Sequence, residues 1–321
     1  MKILTVTNMW PISEHQYYGI FVKEQVEALK KYYPELENKI WFINGFKNRV
    51  NYLFSVFQIN WHLIFNKYDV IHIHFGLSGL FLLFRLYKNA KVILTLHGSD
   101  INIEVSNHLQ VWITKIVINH VDHIICVNDN MAKGINKTSH ISVLPCAVNT
   151  DLFQPALKKD QQTIQIVFPG SIQRPVKNYQ LFRSIIDIIK DTTKIEITEV
   201  IIDNMSRAEV STALKESDIL LLTSLSEGSP QIVKEAMCCN TPIVTSNVGD
   251  VAMLLKSVDN CSVINKFDED LFADAVLKIL NKNPKNRISN GRQRNFELGL
   301  DEKTTSQKIF DLYKSLSHKY E

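Results

Sequence analysis

The chain alternates short apolar runs rich in β-branched residues with longer stretches of helical periodicity, and it does so twice. A strand buried on both faces reads as a continuous apolar run, and a helix must connect it to the next parallel strand, so this rhythm points to parallel sheets covered by helices. In the first half the expected strands are Lys2–Thr7, Ile40–Asn44, Val70–His74, Val92–Leu96, His123–Val127 and Ile141–Leu144. Helices are expected at Ile20–Lys31, Val50–Phe65, Leu80–Tyr87 and Leu109–Asn119. Asn149–Pro155 and the polar Lys158–Gln162 interrupt the pattern. It restarts with strand Ile164–Phe168, helix Asn178–Lys190, strand Ile195–Ile202, helix Arg207–Lys215 and strand Ile219–Thr223. Helix Gln231–Cys239, strands Pro242–Thr245 and Ser262–Ile264, and helix Glu269–Leu280 follow.

At roughly 100–200 residues per domain, 321 residues accommodate two. The expected division is 1–155 and 156–300, with a helix in 301–321, about Glu302–Lys319, packing back onto the first half. Two such doubly wound domains face one another across a cleft, and ligands of open α/β sheets gather at the carboxyl ends of the strands.

Charge and cysteine usage narrow the partners. A net charge of +3 is too small to argue for nucleic acid. The five cysteines lack metal-ligand spacing and suit a reducing cytoplasm. MKILTVTN turns polar after its first strand and does not read as a signal peptide. No apolar run reaches the roughly 18 residues of a membrane span. The helix expected over Val50–Phe65 is unusually apolar, with Tyr52, Leu53, Phe54, Phe57, Trp61 and Phe65 between Lys47, Arg49 and Lys67. Core packing is the ordinary reading of such a stripe; a peripheral membrane contact or a wall of a lipid-acceptor groove is the alternative.

The chemistry concentrates in Leu222–Glu235. A buried strand ends near Thr223, a polar turn carries Glu227, Gly228 and Ser229, and Pro230 fits the opening of the next helix, where its missing N–H is no loss. The free N–H groups at that helix start suit a diphosphate, and the acceptor-only carboxylates of Glu227 and Glu235 suit sugar hydroxyls. The plain alternative is a helix-start Glu227 and a solvated Glu235. His97 ends a strand in LTLHGSD, where Asp100 can cap the next turn or meet substrate. His72 and His74 share one strand face; with His97 they could form a zinc site, a reading set below a cleft lined by histidines without metal.

EGSPQIVKEAMCCNTPIVTSNVGD, residues 227–250, resembles the donor-site signature of the retaining GT-B glycosyltransferases of family 4. It is most like a subset with EGSPxxxKEAMxCN followed by VGDV. MKILTVTNMWP with Gly19-Ile-Phe-Val-Lys-Glu-Gln, Tyr68–His74, Leu94–Asp100, Val143–Phe153, Val167–Ser171 and Pro175–Asn178 have family counterparts in the same order, so the resemblance spans nearly the whole chain. It implies an N-terminal acceptor domain and a C-terminal donor domain, both Rossmann-like. It implies that Glu235 holds the nucleotide ribose, that Glu227 faces the donor sugar, and that Gly228, Ser229 and Pro230 approach sugar and phosphates. Lys177 would bind the diphosphate beside Gly170, and His97 would lie over the donor sugar near the reacting centre. His74, Gly19 and Asp100 are the acceptor-side candidates.

The chain departs from the family pattern in four places. Ser171 stands where many members have an arginine, a charge that Arg174 could supply; Gly249-Asp250 stands where a Gly-Gly pair is common; Met253 stands where many have a glutamate; and Thr198–Ser206 is short where base contacts often lie. The expected activity is retaining hexosyl transfer without metal or other cofactor, from a UDP- or GDP-sugar to a saccharide or lipid-linked saccharide. Its setting is surface polysaccharide or glycolipid synthesis, in the cytoplasm or at the inner membrane face. A GT-B nucleotide-sugar epimerase and a catalytically silent nucleotide-sugar-binding subunit are the rivals.

Overall fold

The computed structural model describes residues 1–84, 90–98, 100–101, 108–135, 140–156, 163–193 and 196–317. The chain divides into two units, Met1–Ala147 with Glu302–Glu321, and Val148–Asp301. The first contains β1 (Lys2–Thr7), α1 (Ile20–Tyr32), β2 (Glu37–Phe42), α2 (Asn51–Phe65), β3 (Val70–His74), β4 (Lys91–Leu96), α3 (His108–Ile118), β5 (His123–Cys126), α4 (Asp129–Lys133) and β6 (Ile141–Val143). The second contains β7 (Ile164–Phe168), α5 (Tyr179–Thr193), β8 (Ile197–Ile201), α6 (Arg207–Glu216), β9 (Ile219–Leu222), α7 (Gln231–Cys238), β10 (Ile243–Ser246), α8 (Val251–Leu254), β11 (Cys261–Ile264), α9 (Glu269–Leu280) and α10 (Gly291–Glu297). The closing helix α11 (Glu302–Leu316) belongs to the first unit.

Both sheets are parallel throughout. Their orders are β2-β1-β3-β4-β5-β6 and β11-β10-β9-β7-β8. In each, the chain leaves the first strand to one side and then returns to build outward on the other. The switch points therefore lie between β1 and β3 and between β7 and β9, where a doubly wound sheet opens a crevice beyond its carboxyl edge. The central strands lie in continuous apolar burial, through Ile71, Ile73, Val92 and Leu94 in the first sheet and Val167, Leu220, Leu222 and Ile243 in the second, whereas the edge strands β2, β6, β8 and β11 are largely half-buried or exposed. α5 and α9 cover one face of the second sheet through Phe182, Ile186, Phe272 and Val276. α11 joins the first unit through Ile309 and Tyr313, which pack with Ile3, Leu29 and Val70.

Several elements differ from the sequence reading. The boundary falls at Ala147/Val148 and not at 155/156, because Val148 bridges Asp301 and Phe153 is buried in the second core. Leu80–Tyr87, read as an α-helix, is a 3-10 helix over Gly76–Phe84 as far as it is described; Arg85–Tyr87 lie outside the described residues, as do Lys158–Gln162, Ile195 and His318–Lys319. The Val50–Phe65 stripe is not plain core. Val56, Ile59 and Leu63 face inward, whereas Leu53, Phe54, Phe57, Trp61, Ile64 and Phe65 are exposed.

Candidate functional site

In the second unit the polar residues converge at the carboxyl edge of the sheet, on the loops after the two strands that flank the switch point. After β7 the chain passes Gly170, whose φ of +143° is a glycine conformation. A Cβ there would stand 3.0 Å from Lys177 Cε, so the lysine stem packs directly over the bare glycine. A 3-10 turn over Pro175–Lys177 then delivers the ammonium. After β9, Leu225 N–H donates to Val176 O at 2.8 Å and Thr223 Oγ1 donates to the carbonyls of Lys177 and Asn178, tying the two loops together. Lys177 Nζ and Glu227 Oε1 form an ion pair at 2.7 Å, both side chains largely buried.

Gly228, Ser229 and Pro230 lead into α7, with Pro230 at its N-cap in extended conformation. Ser229 Oγ is buried there without a hydrogen-bond partner. The loop after β10 closes on this segment: Gly249 has φ +60°, and a Cβ on it would sit 2.4 Å from Gly228 O. One turn into α7, Glu235 is only 1% exposed and accepts from Arg207 Nη2 at 2.6 Å. The Arg207 guanidinium lies 4.8 Å from the centre of the Phe153 ring. The second carboxylate is therefore not solvated; a cation holds it at the sheet edge.

Arg207 was not among the residues singled out from sequence, although a signal existed. Ser206 and Glu209 form a capping box that fixes the start of α6. A cation as the first helical residue opposes the helix dipole and calls for an anionic partner. Arg174, by contrast, is exposed and precedes the 3-10 turn.

In the first unit three histidines stack in series, two on β3 and one just after β4. His72 is fully buried, with Nδ1 2.6 Å from Tyr313 Oη and Nε2 2.7 Å from Thr95 Oγ1. Both nitrogens are thus engaged, which removes His72 from the zinc alternative; among the described residues no group of three or more His, Cys, Asp or Glu is placed to hold a metal ion. His74 Nδ1 lies 3.2 Å from His97 Nε2, while His74 Nε2 is buried without a hydrogen-bond partner. Burial holds both His72 and His74 well below the usual imidazole pKa, and the neighbouring imidazoles lower them further.

His97 is half-buried, its ring stacked 4.5 Å from Phe75 and tilted against Phe21 at 4.7 Å, with Cys146 Sγ 3.8 Å from Nδ1. Phe75 has φ +67°, a strained conformation for a bulky residue and of the kind that gathers at functional sites. Asp100 is fully buried and accepts from the N–H groups of His97 (3.1 Å) and Gly98 (3.0 Å). Desolvation pushes its pKa up to about 6 against those hydrogen bonds. It holds the backbone at His97. Gly19 is buried at the N-cap of α1 in a left-handed conformation.

Two Rossmann-like domains, each with a parallel sheet and polar residues at its carboxyl edge, define the GT-B class. Residues 23–152 match Glycosyltransferase Family 4 and residues 154–294 match Glycosyl transferases group 1, and the chain belongs to these glycosyltransferases. It is 24% identical to an Escherichia coli UDP-Gal:α-D-GlcNAc-diphosphoundecaprenol α-1,3-galactosyltransferase over 327 residues, covering 84% of this chain and 81% of that one. The fold is similar to that of sucrose-phosphate synthase from Thermosynechococcus elongatus, with a TM-score of 0.78 at 15% identity over 98% of each chain. Anabaena HepE, crystallised with UDP-glucose, has a TM-score of 0.74 at 12% identity, covering 98% of this chain and 100% of that one.

Proposed function

We propose that the chain moves a hexosyl group, with retention of anomeric configuration, from a UDP-sugar to a hydroxyl of a saccharide or lipid-linked saccharide at the inner membrane face. The observation that carries this reading is the convergence, at one sheet edge, of Lys177, Glu227, the α7 start and the buried Arg207–Glu235 pair. The family resemblance assigns Glu235 to the ribose and Glu227 to the donor sugar. In the unliganded chain Glu227 is the counter-ion of Lys177. A diphosphate would draw that ammonium toward itself and release Glu227 to accept from sugar hydroxyls.

Departure of the diphosphate develops negative charge, and the proposal assigns its stabilisation to Lys177 and the first N–H groups of α7, with no metal in the step. Arg207, by neutralising Glu235, fixes the carboxylate that receives the ribose; it is a positioning residue. His97, set by Asp100 and the Phe75 and Phe21 rings, is assigned to the donor sugar by resemblance. UDP is favoured over GDP because the Escherichia coli relative is named for UDP-galactose and HepE was crystallised with UDP-glucose.

The test is transfer from a panel of UDP- and GDP-sugars to a diphospholipid-linked sugar, read by product mass and anomeric configuration, with and without chelator. Retained configuration unaffected by chelator is expected. His97→Ala should keep donor binding and lose on the order of 100-fold or more in turnover. Release of free or epimerised sugar with no acceptor product, or full turnover in His97→Ala, would overturn the assignment.

A further inference from the structure

We infer that the outer face of α2, with the end of the 3-10 helix beside it, is a docking surface for an anionic phospholipid bilayer. The face rests on geometry independent of the donor site. Its inner residues, Val56, Ile59 and Leu63, satisfy the core, and buried Asn60 donates to the carbonyls of Val56 and Phe81 to lock the helix against the 3-10 turn. That lock leaves an opposite side with no core to enter. Phe57 is 75% exposed, Trp61 66% and Phe84 64%, alongside Leu53, Phe54, Ile64 and Phe65. Phe57, Trp61, Ile64 and Phe84 line a shallow groove of about 580 Å³ whose walls are almost wholly apolar. Clusters of exposed apolar side chains of this kind mark interaction surfaces.

Charge decides what covers it. From Asn51 to Phe65 there is no Asp, Glu, Lys or Arg. Exposed Lys47 and Arg49 precede the helix and exposed Lys67 follows it. From Asn38 to Lys67 the sequence carries four basic residues (Lys39, Lys47, Arg49, Lys67) and no Asp or Glu. An uncharged aromatic and aliphatic face with a basic margin complements the acyl–headgroup boundary of an anionic leaflet, where Phe, Trp and Leu enter the boundary and Lys or Arg meet the phosphates. No helix among the described residues is long and apolar enough to cross a membrane, so the contact is one of lying on the surface.

The experiment is co-sedimentation of the full chain with vesicles of phosphatidylcholine alone or mixed with phosphatidylglycerol. Wild-type protein should partition onto the mixed vesicles, more weakly at high salt, and scarcely onto phosphatidylcholine. Phe57→Glu with Trp61→Glu should reduce partitioning at least about tenfold, and Lys47→Ser with Lys67→Ser should reduce it on the mixed vesicles only. Both pairs are exposed, so UDP-induced thermal stabilisation should persist, separating failure here from failure of the donor site. Should the glutamate pair unfold the chain, Phe57→Ser is the substitute, with a smaller loss in the same direction. Equal partitioning of wild type and apolar-face variants, or no partitioning of either, overturns the proposal. So does a wild-type dimer, seen by light scattering, that the same variants convert to monomer, because the face would then belong to a second copy.

Discussion

Removing the Arg207 side chain tests whether Glu235 is held at the sheet edge by a desolvated ion pair. In Arg207→Met the carboxylate keeps its burial at 1% exposure and loses its 2.6 Å partner. Breaking a buried pair from one side costs about 3–5 kcal/mol. Arg207 is itself partly solvated, which favours the lower end, about 3 kcal/mol. For a domain of this size each kcal/mol lowers Tm by about 2–4 °C, so the unliganded variant should melt roughly 6–12 °C lower. Glu235→Gln should cost less, because the guanidinium it strands reaches solvent. Arg207→Met with Glu235→Met should recover to within about 1 kcal/mol of wild type, since well-packed apolar replacement of a buried pair is close to neutral. Calorimetry of the four proteins decides it. A Tm for Arg207→Met within about 2 °C of wild type would refute the reasoning.

Gly249→Ala should weaken UDP binding by about tenfold while leaving the chain folded: the left-handed strain costs on the order of 1–3 kcal/mol, and the new Cβ, 2.4 Å from Gly228 O, must displace the loop proposed to meet the phosphates. Titration calorimetry would show it. His72 and His74, neutral when folded because burial depresses their pKa values, contribute stability that is full above about pH 6.5 and lost as pH falls below it, at up to about 1.4 kcal/mol per pH unit each. His74→Gln should therefore flatten acid unfolding of the first domain. Asp100, raised to about 6, works the other way: its contribution is present at low pH and lost as pH rises between about 4 and 6, so Asp100→Asn should steepen the acid loss. Melting curves across that range read both effects.

The strands were legible because parallel strands buried on both faces must be apolar throughout, and Val70–His74 or Ile219–Leu222 admit no other reading once helices flank them. Short helices were not: α4, α8 and α10 are too brief to display a period, and the glycines of Gly76–Phe84 hid a 3-10 turn inside an apolar run. At the candidate site the motif singled out Lys177, Glu227 and Glu235 individually. Their pairings were out of reach, because Lys177–Glu227 and Arg207–Glu235 join residues 50 and 28 positions apart that only the sheet order brings together. The α2 stripe misled for a related reason: sequence shows how apolar a helix is all round, not how much of its girth the sheet has room to cover.

The most direct measurement is the thermal shift produced by UDP and UDP-sugars in wild type, Glu235→Ala and Lys177→Ala. At ligand near 100 times Kd the wild-type gain is about 2.7 kcal/mol, or roughly 5–10 °C for the second domain. Loss of that gain in both variants, each still cooperatively folded, is the predicted result. Stabilisation of wild type and both variants to the same extent would mean that the nucleotide does not sit among these residues, and the account would fail.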